Sequence, residues 1–230
     1  MALTDVGDVL PALPRRWSTA ESAAETLRRQ ISDGKLLPGT KLREEAVSAA
    51  FSISRNTVRE AFRLLAHEQL VEHALHRGVF VRTVTTDQVR DLYRTRRLVQ
   101  PLGIRAALDD AECRAAMSDR VAVAMAAADR ADWDAVGTAD IDFHRVMVAG
   151  CRSTHIMSMF EQVLAELRLA FLQMPDRRNL HQPYVEGNRR IVELLTAGDG
   201  AGAAAELAAY LDAAEKHVLG MLVVPAQDPS

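Results

Sequence analysis

The chain has 230 residues, of which 48% are hydrophobic, so it can form two ordinary domains that each bury a core. Intrinsic disorder is therefore not the expected state of the chain. A formal net charge of −3 argues against a uniformly basic nucleic-acid binder, but residues 18–84 carry +2 and residues 85–230 carry −5. We call residues 18–84 the head. A mildly basic head on an acidic remainder of the chain is compatible with DNA binding by the head alone.

The sequence also indicates the compartment. No apolar run approaches the roughly 20 residues needed to span a bilayer, and the first residues lack the pattern of a secretory leader. The two cysteines, Cys113 and Cys151, have no CxxC spacing, which suits a reducing environment. We therefore expect a cytoplasmic protein that does not bind membranes.

The first half of residues 18–84 predicts two helices. Residues 1–17, which precede them, show no sustained hydrophobic period and are expected to form a flexible tail. Ser18 and Glu21 have the spacing of a capping box, so a first helix should begin there and end at Asp33. A turn follows, and a second short helix is expected from residue 43 or 44 to residue 50.

The second half predicts a third helix and a hairpin. Ser54 is a natural N-cap for a helix that runs to about residue 68. Two β-rich runs, 70–74 and 79–84, flank a turn that contains Gly78. Apolar side chains recur at helical spacing within the third helix and must face a core: Val58, Ala61, Phe62 and Leu65. Three helices followed by a hairpin predict a winged helix-turn-helix.

The rest of the chain predicts helices only. The polar stretch 176–182, between two prolines, is expected to be a loop. Six helices are expected, at about 87–108, 111–129, 132–150, 153–173, 183–197 and 200–221. The predicted fold class is therefore mainly α, with a winged helix-turn-helix and its small β-hairpin wing over 18–84, an all-helical domain over 85–224 and a C-terminal tail over 225–230.

The first turn of the third helix has the composition of a DNA-reading element. A helix N-terminus attracts phosphate, and arginine pairs bidentately with guanine in the major groove. Arg55 and Arg59 lie one turn apart on the exposed face, so both can enter that groove. The alternative is a solvated face on which they pair with Glu60 or Glu45. The candidate DNA contacts here are Ser54, Arg55, Asn56, Thr57 and Arg59.

Three blocks of residues within 23–81 carry a family pattern. They are Ile31, Gly34, Leu36, Pro38, Gly39, Leu42 and Glu44; then Ser54, Arg55, Val58, Arg59, Glu60, Ala61 and Leu65; then Leu70, Val71, Arg77, Gly78 and Val81. This pattern resembles the DNA-binding domain of the GntR family of bacterial transcription regulators. The resemblance implies that Arg43, Arg55, Thr57 and Arg59 contact the operator, and that His76, Arg77 and Gly78 place the wing tip in the minor groove. Gln69 stands where the family usually has glycine.

The helical region resembles the effector-binding FCD domain of the FadR-like subfamily, an antiparallel bundle that buries a small ligand. The resemblance depends on Arg96 and on the segment from Asp140 to His144. Asp140 and His144 share a helix face at i and i+4, a spacing suited to one metal ion. Many members add two histidines, but Asn188 and Tyr210 stand at those positions. No cofactor is therefore expected, and a Zn²⁺ or Ni²⁺ ion at Asp140 and His144 is the alternative.

If the metal is absent, the pocket must recognise its effector by direct hydrogen bonds and packing. The resemblance implies that five side chains converge on the cavity: Arg96, Asp140, His144, Asn188 and Tyr210. Arg96 is the candidate for holding a carboxylate, because guanidinium matches that shape. An internal ion pair of Arg96, and a direct pair between Asp140 and His144, stay open as alternatives. Three further histidines are expected to be surface or core residues: His155, His181 and His217.

The resemblance implies a homodimeric repressor that binds double-stranded DNA at a pseudo-palindromic operator. A small carboxylate-bearing metabolite would control its operator affinity from the helical domain. One alternative is a DNA-binding dimer whose helical domain has lost ligand sensing. Enzyme activity is not expected, because a metal-dependent hydrolase or lyase would need an open metal site and two of the expected ligands are missing.

Overall fold

The computed structural model describes residues 18–222, so the tails predicted over 1–17 and 225–230 lie outside the described residues. The predicted fold class is confirmed: a small winged helix-turn-helix precedes a bundle of helices. The helices are α1 Thr19–Ser32, α2 Glu44–Phe51, α3 Arg55–His67, α4 Thr86–Leu108, α5 Ala111–Asp129, α6 Trp133–Ala149, α7 Thr154–Leu172, α8 Arg177–Thr196 and α9 Gly200–Met221. The strands are β1 Lys41–Leu42, β2 Val71–Ala74 and β3 Gly78–Val81. None of the helices between residues 18 and 222 has the length and apolarity needed to cross a bilayer.

Local capping fixes the helices of the head where the sequence predicts them. The Ser18 hydroxyl accepts a hydrogen bond from the Glu21 amide, and the Glu21 carboxylate accepts one from the Ser18 amide. The Ser54 hydroxyl accepts from the Thr57 amide at 3.1 Å and so caps α3. Helices α1 and α3 pack against each other. Their shared core includes the side chains predicted for α3, namely Val58, Ala61, Phe62 and Leu65.

The wing is a three-stranded antiparallel sheet in the order β1, β3, β2. The predicted hairpin of β2 and β3 is present, with Val71 opposite Val81 and Ala74 opposite Gly78. Strand β1, which the sequence analysis missed, pairs Leu42 with Val79. A strand of two residues contains a single buried side chain and therefore shows no alternation that a sequence pattern can reveal.

Helix α6 lies at the centre of the bundle and contacts α4, α5, α7 and α8. The approach of α4 to α6 depends on Gly103, because a Cβ atom there would lie 2.4 Å from the Met147 carbonyl oxygen. One face of α6 carries Asp140 and His144 into the interior, where both are buried. The tight packing of α6 therefore determines where the two predicted polar side chains lie.

The loop predicted over 176–182 is wrong. Helix α8 begins at Arg177, because the Asp176 carboxylate accepts a hydrogen bond from the Asn179 amide at 2.9 Å and caps the helix. Pro183 lies inside the helix and removes one main-chain donor. Burial of Leu180 and His181 against the bundle offsets that loss. The polar composition of this stretch belongs to the exposed face of the helix.

We predict that Gln69→Gly stabilises the protein. Gln69 has φ 60°, a left-handed conformation that costs non-glycine residues roughly 1–2 kcal/mol. Its exposed side chain donates to the Ala66 carbonyl and accepts from Arg82. Glycine loses more conformational entropy on folding than glutamine does, which offsets part of this gain. The free energy of unfolding should therefore rise by about 0.5–1 kcal/mol.

Urea unfolding of the full chain measures this change. Gln69→Ala is the matched control, because it loses the same side-chain hydrogen bonds but keeps Cβ in the left-handed region. It should be less stable than the wild type. A Gln69→Gly protein less stable than Gln69→Ala would show that backbone strain is not the dominant effect at this position.

Candidate nucleic-acid interface and effector site

The two arginines predicted to read DNA are exposed and pair with glutamates of α2. Arg59 Nε donates to both carboxylate oxygens of Glu44, at 3.0 and 2.9 Å. These hydrogen bonds and the charge of Glu44 raise the pKa of Arg59, so it stays cationic. Arg55 Nη1 lies 3.2 Å from Glu45 Oε1, the pair that the sequence analysis considered as an alternative. Exposed ion pairs are weak and screened by salt, so DNA phosphates can compete for both arginines.

The other candidate contacts of the helix-turn-helix lie at helix starts. The Ser54 hydroxyl caps α3 and also lies 2.8 Å from the Thr57 hydroxyl, so the two side chains order each other. Asn56 is exposed in the first turn of α3. Arg43 is the N-cap residue of α2 and is also exposed. Arg43, Ser54 and Asn56 are exposed and Thr57 is half-buried, so the first three are fully accessible to a ligand.

The wing tip presents His76, Arg77 and Gly78, all exposed. His76 and Gly78 have positive φ angles of 59° and 104° in the tight turn. Lys41, which sequence analysis did not single out, lies beside them: its Cε atom is 3.4 Å from where a Cβ of Gly78 would lie, and its Nζ is 5.6 Å from the Phe80 ring centroid. Strand β1 therefore places a second cation, Lys41, next to Arg77. Because the sequence does not predict β1, Lys41 is not among the predicted contacts.

The structure brings together four of the five predicted effector residues at the centre of the bundle. Asp140 Oδ1 of α6 accepts hydrogen bonds from Asn188 Nδ2 of α8 at 2.7 Å and from the Tyr210 hydroxyl of α9 at 2.9 Å. The same hydroxyl lies 3.2 Å from His144 Nε2. Asp140 and His144 are themselves 3.9 Å apart, so Tyr210 connects them. We call these four residues the central network.

Burial and Arg96 set the charges within the central network. Burial raises the pKa of Asp140, and the positive charge of Arg96 together with the donors from Asn188 and Tyr210 opposes that rise. Burial lowers the pKa of His144 well below its ordinary value, and Arg96 lowers it further. His144 is therefore a neutral imidazole, and its contact with Tyr210 is a hydrogen bond between neutral groups.

Arg96 of α4 is buried without a counter-ion in contact. Only 1% of its surface is exposed, and its Cζ atom lies 4.8 Å from the Tyr93 ring centroid. Its Nε has no hydrogen-bond partner, and among residues 18–222 no carboxylate oxygen lies within the 4.0 Å of an ion pair. Asp140 acts on it from a longer distance. A buried cation in this condition is costly unless an anion approaches it.

The cavity next to Arg96 is nearly closed. Its volume is about 10 Å³, close to the space of a single water molecule. It is lined by Tyr93, Arg96, Asp140, Phe171, Leu180, His181, Tyr184, Tyr210, Ala214 and Val218. Sequence analysis placed His181 in a loop and so did not connect it with this cavity.

A larger cavity of about 540 Å³ lies between the head and the bundle, lined by residues of α1, α3, α6 and α7. Two of its arginines have carboxylate partners: Arg28 donates to Glu68 at 2.7 Å, and Arg145 donates to Glu161 at 2.9 Å. The third, Arg168, donates to the Ser32 carbonyl at 2.9 Å. The volume would suit a metabolite. Each of these arginines already donates to a protein oxygen, whereas Arg96 Nε has no partner, so the larger cavity is a weaker candidate for binding an anion than the bundle interior.

The central network does not fit a tightly bound metal ion. Between residues 18 and 222 there is no group of three or more His, Cys, Asp and Glu side chains placed to hold one. Donor protons of Asn188 and Tyr210 point at Asp140 Oδ1, so that one of the two carboxylate oxygens is already occupied by hydrogen bonds. As expected, His155 is exposed and His181 is buried in the core, while His217 Nδ1 lies 2.9 Å from the Tyr184 hydroxyl.

The chain matches two family models, described as "Bacterial regulatory proteins, gntR family" over residues 19–81 and "FCD domain" over residues 91–213. The galactonate operon transcriptional repressor of Escherichia coli (strain K12) is 27% identical over 223 residues, which cover 86% of this chain and 90% of that protein. The gluconate operon transcriptional repressor of Bacillus licheniformis is 27% identical over 186 residues, 76% and 74% of the two chains. A solved structure of a putative GntR transcriptional regulator from Rhodococcus sp. RHA1 has a TM-score of 0.83 and 38% identity, covering 87% of this chain and 97% of that one.

We predict that Tyr210→Phe destabilises the protein, because it removes a buried donor to the Asp140 carboxylate. The free energy of unfolding should fall by about 1–3 kcal/mol, the usual cost of leaving a buried polar partner unsatisfied. Tyr184→Phe is the matched control, since its hydroxyl contacts the half-buried His217 and its loss should cost less. Thermal unfolding of the full chain compares them, and equal losses would contradict the importance of the central network.

Proposed function

The chain belongs to the GntR family of bacterial transcription regulators, with a winged helix-turn-helix followed by an FCD domain as in the FadR-like subfamily, and on that premise we propose that it is a ligand-controlled repressor. It is a DNA-binding regulator and not an enzyme. We assign the DNA-binding domain to residues 18–84 and the effector-binding and dimerisation domain to residues 85–224. Two copies would bind the two half-sites of a pseudo-palindromic operator.

In the proposed DNA complex the first turn of α3 enters the major groove. Arg55 and Arg59 exchange their glutamate partners on α2 for guanine edges or phosphates, which is feasible because both pairs are exposed. Arg43, Ser54, Asn56 and Thr57 contact the backbone or base edges next to them. His76, Arg77 and Gly78 reach the minor groove, with Lys41 at their side.

The buried, unpaired guanidinium of Arg96 is the observation that carries the ligand part of the proposal. A carboxylate-bearing effector would supply the missing anion and accept the free Nε–H. Asp140, His144, Asn188 and Tyr210 would contact the rest of the effector directly, without a metal. A helical domain that had lost ligand sensing would have no need to keep an incompletely compensated cation in its core, so Arg96 favours sensing over the alternative of a dimerisation domain alone.

A junction at the end of α7 connects the head to this cavity. The Gln173 side chain accepts a hydrogen bond from the Val84 amide at 2.6 Å and donates to the Val84 carbonyl at 3.0 Å. Arg82 and Glu166 form an ion pair at 3.0 Å, largely shielded from solvent. Phe171, two residues before Gln173, lines the effector cavity. We propose that ligand entry moves Phe171 and so changes how Gln173 holds the head.

The proposed DNA contact is tested by Arg55→Ala on an operator selected from random duplexes with the full chain. Loss of the Arg55 side chain should weaken operator binding by about 1–3 kcal/mol, where 1.4 kcal/mol corresponds to a tenfold change in affinity. The effect on binding to random DNA should be smaller. Arg63→Ala is the control, because Arg63 is an exposed, ion-paired arginine of the same helix. Equal losses on operator and random DNA would make Arg55 a phosphate contact rather than a base contact.

The proposed junction is tested by Gln173→Leu, which leaves the Val84 amide and carbonyl without partners. Amide hydrogen exchange in the segment 82–88 should become roughly tenfold faster, as expected for the loss of two hydrogen bonds. Gln162→Leu makes the same change at an exposed position of α7 and should leave that segment unchanged. Unchanged exchange in Gln173→Leu would show that this side chain does not hold the head.

A further inference from the structure

The walls of the effector cavity are mainly apolar. Four aromatic rings face it, those of Tyr93, Phe171, Tyr184 and Tyr210, together with three aliphatic side chains. Two of the three tyrosine hydroxyls have partners elsewhere: Tyr210 bonds Asp140, and Tyr184 contacts His217. A ligand in this cavity therefore meets ring and methyl surfaces along most of its length.

Two lining residues hold buried polar atoms that lack a hydrogen-bond partner within residues 18–222. They are Arg96 Nε and His181 Nε2. The Asp140 oxygen in the network already accepts two hydrogen bonds. The lining residues thus offer one cationic donor, one imidazole nitrogen and the Tyr93 hydroxyl, which are fewer partners than a ligand with a hydroxyl on every carbon requires.

His181 occupies its place because α6 has a glycine there. A Cβ atom on Gly137 would lie 2.4 Å from His181 Nε2, so only glycine lets the imidazole lie against α6 on the side of the cavity. The ring also packs edge-on against Phe171, with centroids 5.3 Å apart. Burial lowers the pKa of His181 to about 3, so the imidazole is neutral near pH 7 and presents one hydrogen bond without a charge.

We infer that the effector is a monocarboxylate with an apolar, aromatic body, that Arg96 holds its carboxylate, and that His181 is a second contact with an unused polar atom, next to the central network. This inference rests on the proposed function, because it concerns the same cavity. The carboxylate compensates the Arg96 charge, and the aromatic body packs among the rings, where offset and edge-on contacts are favourable. A polyhydroxylated acid would bury hydroxyls without partners, and each would cost binding free energy.

The cavity volume adds a requirement to this inference. About 10 Å³ cannot hold even a benzene ring, so the aromatic body has to displace wall side chains. Phe171 and Tyr184 belong to the consecutive helices α7 and α8, and a ligand ring that displaced either side chain could replace its ring contacts in the cavity. Only molecules with an open cavity can bind the ligand. The apparent affinity is therefore lower than the intrinsic affinity by the fraction of molecules that are open.

The test is a thermal-shift and calorimetric titration of the full-length protein with benzoate and phenylacetate, in the presence and absence of a chelator. Gluconate and galactonate serve as polyhydroxylated monocarboxylates, and benzamide serves as the neutral aromatic control. We expect an aromatic acid to raise the melting temperature regardless of the chelator. Both sugar acids and benzamide should bind at least about tenfold more weakly, because they lack respectively the apolar body and the charge.

Variants at position 181 test the second contact. His181→Leu should weaken binding of the aromatic acid roughly tenfold, and His181→Gln, which retains a polar nitrogen near the same place, should recover most of it. His217→Leu is the control outside the cavity lining and should leave affinity within about twofold. Equal weakening by His181→Leu and His181→Gln would overturn the role of His181.

The outcomes separate this inference from the proposed function. If gluconate or galactonate binds in an Arg96-dependent manner and the aromatic acids do not, the aromatic class is wrong while ligand control stands. If no carboxylate changes either the melting temperature or operator affinity of a protein that binds its operator, both the class and carboxylate sensing are wrong. Loss of aromatic-acid binding in Arg96→Gln, with operator binding retained, supports both.

Discussion

The buried guanidinium of Arg96 is the constraint around which the bundle interior is arranged. A cation removed from water is costly, and its neighbours reduce that cost only in part. Asp140 provides a negative charge at a distance, and donors from Asn188 and Tyr210 oppose the effect of burial on that carboxylate. His144, near the same cation, is neutral. The interior therefore contains a cation, Arg96, whose charge is only partly balanced by the nearby Asp140 carboxylate.

Asn188 and Tyr210 change what the centre of this domain can do. Histidine at these positions would offer lone pairs to a metal, whereas the amide and the hydroxyl offer protons to the Asp140 oxygen. Because Oδ1 already accepts two hydrogen bonds and both neighbours present donors, a divalent cation finds few ligands here. In the proposed function, effector recognition would then depend on hydrogen bonds and ring packing, and so on the shape and polarity of the cavity walls.

Sequence patterns predicted those parts of the molecule that are determined locally. The capping side chains Ser18 and Ser54 and the helical period of the buried residues define α1 and α3 from short stretches of chain. Asp140 and His144 were readable as one helix face. Asn188 and Tyr210 could be placed next to them only through the family resemblance, because nothing local connects α6 with α8 or α9.

The features that sequence analysis missed depend on contacts between distant segments. Strand β1 is too short to show alternation and exists because β3 pairs with it. The polar exposed face at the start of α8 predicts a loop. A loop gives no reason to place His181 in the cavity next to Arg96, so the sequence does not predict that position. Gln173 lies 89 residues from Val84, so no pattern indicates that its amide would bond both main-chain groups there.

The closed cavity and the junction together constrain how control can work. A ligand shifts an equilibrium only through different affinities for two states, and in this conformation the cavity next to Arg96 has no room for one. In the proposed mechanism, an effector bound there therefore stabilises another conformation, in which Phe171 moves away from His181. Leu172 follows Phe171 and lies 3.0 Å from where a Cβ of Gly34 would be, and Gln173 comes next. Because these three residues are consecutive, the wall of the cavity cannot move far without changing the contacts that orient the DNA-binding head.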